Sequence, residues 1–406
     1  MVKERFETDV VVVGAGHAGG ACALSLRQLG YEGSIVLVGE EAVPPYERPS
    51  LSKSYLDGTD SQPKYLADVA TWAKKGIDLR LGSSVIRIDT SEHVAELADG
   101  GSFRYRNLVV ATGGRPKSPF QPHPRLRVLR TWADSKEIAD LSRRSRSVII
   151  VGGGVIGLEV GATLRGLGLD VTIVEAADRL MGRMAPLDVA DWIEALHQGA
   201  GCRIVKNVLA SSFSTTAEGI RLVLTSGEEL TADFGVVGVG IGPNVELAEA
   251  ASLPHDNGIL VDEEYRVNGV SDVFAIGDVA RVATRLARDE SWAHAEMSAR
   301  VAARSILGLP NELDHIPWFW TSQFGHQLQM AGVTQSASCV VARGPRRRLY
   351  LDHSGVLIGC AMLDAIKEFA LAKRLIGERA AIDQARAGNE QLNLRSAVVE
   401  RADAAI

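Results

Sequence analysis

Two runs of the form G-x-G-x-x-G carry the most specific chemistry in this sequence: Gly14-Ala15-Gly16-His17-Ala18-Gly19 and Gly152-Gly153-Gly154-Val155-Ile156-Gly157. Glycines at this spacing suit a strand-to-helix turn that receives a pyrophosphate. The first makes the tight turn, the second lets the phosphates approach the backbone, and the third lets helix pack on strand. The N-terminus of the helix then holds the anion. An acid at the end of the following strand is placed to accept hydrogen bonds from ribose hydroxyls, and Glu40 and Glu175 are the candidates. A carboxylate there also repels a 2′-phosphate, so Glu175 favours NADH. Arg179 and Arg183 lie close enough to keep NADPH open. Two dinucleotide sites in one chain imply a bound redox cofactor and a diffusible partner that exchanges hydride with it.

The elements that must position these glycines have one grammar, used twice. Residues 10–13 are four valines that read as a fully buried strand; a helical stretch runs to Gly30 and a second apolar strand spans 35–38. The copy has a strand over 148–151, a helix to Gly168 and a strand over 171–174. Further strands are expected over 220–224, at Thr231, over 234–240 and over 272–278. From Pro317 strand-like segments at 327–331, 338–343 and 356–362 follow without an intervening helix, and a helical stretch covers about 365–376. The fold class expected is α/β, with two Rossmann-like dinucleotide-binding domains plus a C-terminal α+β domain. The tail after Gly388 carries no signal.

Composition sets the outer bounds. The 406 residues, 46% hydrophobic and 23% charged, suit two to three ordinary globular domains. A net charge of -6 argues against nucleic acid as partner. Acids near the start and apolar runs far below the length of a membrane span predict a cytoplasmic chain without signal peptide or membrane contact. Cys22, Cys202, Cys339 and Cys360 are scattered and read as reduced, inert thiols. The nine histidines show no ligand spacing, so no metal site is expected.

The ordered combination of the first glycine run, Ala111-Thr112-Gly113, the run from Gly152 to Glu159, and Ala275-Ile276-Gly277-Asp278 resembles the two-dinucleotide flavoproteins that include glutathione reductase. Within them, Pro45-Tyr46-Glu47-Arg48-Pro49-Ser50-Leu51-Ser52-Lys53 and Trp318-Phe319-Trp320 are similar to NADH-dependent ferredoxin reductases of Rieske-type oxygenase systems, the putidaredoxin- and rubredoxin-reductase-like group. This resemblance implies FAD in the first fold, NADH in the second, and a [2Fe-2S] ferredoxin of Rieske or plant/adrenodoxin type as acceptor, in aromatic hydrocarbon catabolism. It implies an FAD domain over 1–111 and 242–316, an NADH domain over 112–241 and a C-terminal domain over 317–406. A homodimer stays open.

The resemblance also implies roles. Arg48 approaches the pyrophosphate, and Lys53 approaches the flavin ring, paired with Glu159. Thr112 and Gly113 let the chain cross between domains, and Arg130 is a phosphate candidate. Gly277 and Asp278 meet the ribityl chain, with the next helix N-terminus aimed at the flavin. Trp292 lies along the helix facing the flavin pyrimidine, where His294 and Glu296 depart from the family pattern. Trp320 sits beside the flavin, for nicotinamide stacking or electron exit, while Trp318 and Phe319 pack the third domain on the others. Lys53, Glu159 and Trp320 are thus the catalytic candidates. Residues 42–54 lack the cysteines by which disulfide-reducing and peroxidase members act, so electrons must leave the flavin directly. Rubredoxin-type or monodehydroascorbate-type reductases, and a protein resembling apoptosis-inducing factor whose oligomeric state NADH switches, are the alternatives. Arg343, Arg346, Arg347 and Arg348 form the strongest basic cluster, either a solvated hairpin tip or a patch that steers an acidic ferredoxin.

Overall fold

A computed structural model describes residues 5–311 and 316–399. The chain divides into two units: Met1–Pro49, Gln62–Arg115 and Ile241–Leu313 form one, and Ser50–Ser61, Pro116–Gly240 and Asp314–Ile406 the other.

In the first unit the valine strand Val10–Val13 lies at the centre of a five-stranded parallel sheet. Its neighbours are Asn107–Val110 and Ile35–Gly39, flanked by Val273–Ala275 and Ile77–Leu81. A central parallel strand is covered on both faces, so an unbroken apolar run suits it better than alternation. The helix His17–Gln28 follows the glycine turn and packs beside Trp292–Ile306. It ends two residues before Gly30. Gly30 takes φ +87° beyond the last turn, and the Tyr31 amide reaches back to the Leu26 carbonyl, a C-terminal cap that needs glycine.

The second unit repeats the plan. Ser147–Val151 is central in a parallel sheet with Phe234–Val237, Leu126–Val128, Asp170–Val174 and Arg203–Val205. The helix Val155–Gly166 ends before Gly168 with the same cap. The strand expected over 234–240 stops at Val237, because Gly238 passes against the glycine turn and Gly240 turns at φ +108°. The C-terminal region is a five-stranded antiparallel sheet, in the order Trp318–Gln323, His326–Gly332, Leu357–Leu363, Arg347–Leu351 and Cys339–Ala342, covered by the helix Ile366–Gly377. Beyond Gly388, Val398–Val399 pairs with Ala381–Ile382.

Two expectations change here. Trp318 does not pack the third domain on the others: it joins that domain's own core, stacked 5.4 Å from Trp320 with Lys373 Nζ 4.2 Å above its ring. Phe319 does pack against the core shared with the parallel sheet. The basic cluster is neither a solvated tip nor a patch. Arg343 is 3% exposed, paired with Glu368 and donating to the carbonyls of Ala387, Asn389 and Leu392. Arg347 pairs with Glu368 and Glu390, and Arg348 pairs with Asp188 above the Trp192 ring. Only Arg346 of the four is exposed. Arg343→Ala leaves three carbonyls without their donor and Glu368 with Arg347 as its remaining cation, and is expected to cost about 3 kcal/mol of stability. Chemical denaturation measures it, and an unchanged midpoint would refute the structural role.

Candidate functional site

In the first cradle, Gly14 adopts φ +111°, and a Cβ there would lie 2.3 Å from the Ala111 carbonyl oxygen. A Cβ on Gly19 would lie 2.0 Å from the Gly14 oxygen. The middle glycine differs: a Cβ on Gly16 meets nothing nearer than Arg48 Nη2 at 3.8 Å. Gly16 is the N-cap of His17–Gln28, which has no side-chain cap and no acid in its first turn. The outer glycines are therefore demanded by the protein, and the middle one leaves space before uncapped N–H groups. That arrangement fits a pyrophosphate.

Charged groups line this cradle. Arg48 donates to Glu41 Oε1 at 2.8 Å and lies 5.3 Å from the Tyr46 ring centroid, while the Tyr46 hydroxyl donates to Glu41 Oε2 at 2.7 Å. His17 is buried, with Nε2 2.7 Å from Glu296 Oε1. This hydrogen bond holds the Glu296 carboxyl below its ordinary range. The Trp292 ring is 5.2 Å from His17, and buried His294 meets the Tyr265 hydroxyl at 2.9 Å. Sequence reasoning singled out His294 and Glu296 without their partners.

Strand register places Gly39, not Glu40, opposite the glycine turn where Glu175 stands in the second copy, since Val38 pairs with Val13 as Val174 pairs with Val151. A Cβ on Gly39 would lie 2.3 Å from Ala15 Cβ, so the acid is displaced one residue onward and Glu40 is exposed. Gly277 turns at φ +68° into a single 3₁₀ turn, Gly277–Val279, followed by the strand Ala280–Val282. The next helix starts only at Trp292, capped by Ser291. Gly277 N donates to Ser298 Oγ at 3.0 Å. At the chain crossing, Thr112 Oγ1 donates to the Asn244 carbonyl at 2.9 Å and Asn244 Nδ2 returns to the Thr112 carbonyl at 2.8 Å, with Gly113 at φ +65°. Asn244 carries no motif and was not legible in the sequence.

The second cradle has the same steric signature. A Cβ on Gly152 would lie 2.5 Å from the Gly238 oxygen and one on Gly157 2.2 Å from the Gly152 oxygen, whereas Gly154 has nothing nearer than 3.8 Å. The first helical residues are half-buried Val155 and exposed Ile156. Glu175 sits at the loop, accepting from Gly153 N at 2.6 Å and Ala177 N at 2.8 Å. Arg183 is exposed and reaches Gly240, where its Nη2 would be 2.9 Å from a Cβ. The Arg130 amide donates to Asp134 Oδ2 at 2.9 Å, next to the N-terminus of Trp132–Ser142.

Also within the second unit, Lys53 Nζ lies 2.5 Å from Glu159 Oε2, and the Ser52 hydroxyl donates to the same oxygen at 2.6 Å. Thr321 Oγ1 donates to Glu159 Oε1 at 2.7 Å. The loop is tied down by Thr163, whose hydroxyl donates to the Ser52 carbonyl, and by Ser135, which donates to that of Leu51. The expected Lys53–Glu159 pair is thus formed, in a network whose hydroxyl members only the fold brings together. Trp320 is half-buried on the same strand as Thr321. Burial pushes Cys22 and Cys360 up to about 12 and Cys202 to about 11, far from the thiolate that nucleophilic or redox chemistry requires. Cys339 is half-buried beside Gln384.

Comparison with known proteins agrees with this geometry. The pyridine nucleotide-disulphide oxidoreductase family matches residues 8–304, and the reductase C-terminal family matches residues 318–398. The 3-phenylpropionate/cinnamic acid dioxygenase ferredoxin–NAD(+) reductase component of Photorhabdus laumondii is 34% identical over 382 residues, covering 92% of this chain and 97% of that protein. The p-cumate 2,3-dioxygenase system ferredoxin–NAD(+) reductase component of Pseudomonas putida is 35% identical, covering 97% of this chain and 99% of its own. Among solved structures, the covalent putidaredoxin reductase–putidaredoxin complex contains a chain that matches with a TM-score of 0.91 at 32% identity, over 96% of this chain and 97% of that one.

Proposed function

Because the chain belongs to the pyridine nucleotide-disulphide oxidoreductase family and carries its reductase C-terminal domain, we propose that it passes electrons from NADH by way of FAD to a [2Fe-2S] ferredoxin serving an oxygenase. The observation that carries this reading is the pair of dinucleotide cradles, each with an open middle glycine before an uncapped helix. Bound FAD supplies the chemistry that joins two-electron to one-electron carriers, since it takes a hydride and gives up electrons singly.

The protein's own residues bind, orient and tune. Gly14, Gly16, His17, Ala18 and Gly19 with Arg48 hold the FAD pyrophosphate, Glu40 its ribose, and Thr112, Gly113, Gly277, Asp278 and Trp292 complete that site; Arg130 is a separate phosphate candidate. Gly152, Gly154, Val155, Ile156 and Gly157 receive the NADH pyrophosphate, and Glu175 its ribose. Lys53, Glu159 and Trp320 act on the hydride step, Lys53 as a fixed positive charge rather than a nucleophile. The ferredoxin is of Rieske or adrenodoxin type. Residues 1–111 and 242–316 form the FAD domain, 112–241 the NADH domain and 317–406 the C-terminal domain.

The test is stopped-flow reduction of the FAD-loaded protein by NADH, followed by transfer to purified ferredoxins of both types. Rapid bleaching and turnover with one of them are expected. Slow bleaching accompanied by NADH-driven dimerisation would instead favour an oligomeric switch. In the same assay Glu175→Ala combined with Ala176→Arg should weaken NADH by about 1.5–3 kcal/mol, one hydrogen bond to a charged group, and improve NADPH. A wild type that already prefers NADPH would sink the assignment of Glu175.

A further inference from the structure

Behind Glu159, the second unit contains a buried polar chain that the proposed reaction does not account for. His197, on the helix Leu187–Gly199, is fully buried, and its Nε2 lies 2.7 Å from Gln323 Oε1. Gln323 Nε2 lies 2.9 Å from Thr321 Oγ1, and Thr321 Oγ1 lies 2.7 Å from Glu159 Oε1. Thr321 and Gln323 are 1% and 3% exposed, on the buried face of Trp318–Gln323. The Phe324 ring meets the imidazole edge-on at 4.9 Å.

The direction of each bond in this chain is determined from its Glu159 end. A carboxylate paired with an ammonium only accepts, so the Thr321 hydroxyl must spend its single proton on Glu159. Its oxygen is then the acceptor for the Gln323 amide N–H. That turns the Gln323 carbonyl toward His197, whose Nε2 must carry the proton. The other ring nitrogen, Nδ1, is buried and makes no hydrogen bond, as a bare lone pair can and an N–H would not at comparable cost. Burial also holds the imidazole pKa below its ordinary value despite the bond to Gln323, so the ring is the neutral Nε2–H tautomer. Every proton in the chain therefore points toward Glu159.

We propose that His197 is a positioning residue for the hydride step: through Gln323 and Thr321 it polarises and orients the Glu159 carboxylate, and thereby sets the Lys53 ammonium. Without the His197 donor the Gln323 amide is released to rotate. Its carbonyl then competes for the Thr321 proton, and Glu159 loses a donor two side chains away from the change. Hydrogen bonds aligned in a dry interior reinforce one another, which lets such a chain act over this distance. The inference rests on the proposed role of Lys53 and Glu159 in NADH oxidation.

The experiment uses the FAD-loaded full chain with His197→Phe and His197→Gln, each with and without Glu159→Gln. His197→Phe is expected to slow flavin reduction by NADH about tenfold, the loss of roughly one hydrogen bond, with the KM for NADH unchanged. His197→Gln restores the donor and should recover the rate to within about threefold of wild type. In the Glu159→Gln background His197→Phe should add nothing to the loss of rate. Nitrogen-15 shifts of wild type should show a neutral, Nε2-protonated His197 from about pH 6 to 8. Should His197→Phe fail to load FAD, Gln323→Met reads the same link from the next member. Equal effects in both Glu159 backgrounds, no rescue by glutamine, or an Nδ1-protonated ring would overturn the proposal. If Lys53→Ala leaves flavin reduction untouched, the underlying functional reading fails; if Lys53→Ala slows it and the His197 variants do not, only the positioning role fails.

Discussion

Lys53→Ala is expected to slow flavin reduction by NADH by about 10- to 150-fold while leaving the protein folded and yellow. The range follows from removing one charge-assisted hydrogen bond, about 1.5–3 kcal/mol, from the arrangement in which the hydride is received. Glu159 is 3% exposed and Lys53 about a quarter exposed, 2.5 Å apart. Removing the lysine therefore also leaves a buried carboxylate served only by the Ser52 and Thr321 hydroxyls. Stability should fall by about 3 kcal/mol, at the lower end of the cost of breaking a buried pair. Glu159→Ala acts on the same step from the other side, freeing the ammonium from its anchor. Because the two side chains act as one unit, the double variant should be well short of additive in rate. Pre-steady-state bleaching of the flavin band measures all three. An additive double variant would mean that the pair is structural, and an effect confined to ferredoxin turnover would move it to the exit of electrons.

The glycine cradles make an equally large and more selective prediction. Gly16→Val and Gly154→Val introduce side chains where the protein itself has room, at backbone angles any residue adopts: φ −80° and −78°. Both variants should fold. The added carbons occupy the space before the helix N-terminus, where a pyrophosphate collects N–H bonds worth about 1.5–3 kcal/mol each. Losing one or two of these weakens binding about 100-fold. Gly16→Val should therefore purify pale and take up FAD poorly, whereas Gly154→Val should purify yellow and bind NADH poorly. Gly19→Ala and Gly157→Ala are the opposite case, with a Cβ driven to 2.0 and 2.2 Å from a backbone oxygen, so that helix and strand must move apart and the protein should lose stability. Absorbance of the purified proteins and NADH titration decide it. Normal FAD content in Gly16→Val would mean that the dinucleotide does not cross that glycine.

Much of this was legible in the residues themselves. Four consecutive valines, a glycine triplet and a glycine beyond the helix specify strand, turn, helix and cap through local sterics alone, so both dinucleotide folds could be read without a structure, as could three of the five C-terminal strands; Trp318–Gln323 and Arg347–Leu351 were not foreseen. Local sterics do not report strand register across a sheet. Glu40 and Glu175 therefore look equivalent in sequence although their registers differ by one residue, an offset that only the packing of Gly39 against Ala15 explains. Nor do they report a break that one glycine makes, as at Gly277, where the strand expected over 272–278 ends at Ala275 and gives way to a single 3₁₀ turn. Charge is the least local property of all. Four arginines near one another in sequence suggested a surface, yet three are taken up by Glu368, Glu390 and Asp188. The Lys53–Glu159 pair was foreseen by resemblance. Its supports, Ser52, Thr321, Gln323 and His197, come from three elements far apart along the chain, a loop, a helix and a strand, and no spacing announces them. Residue type sets what a side chain can donate or accept; which donor meets which acceptor in a dry interior is decided by packing, and therefore by the tertiary structure.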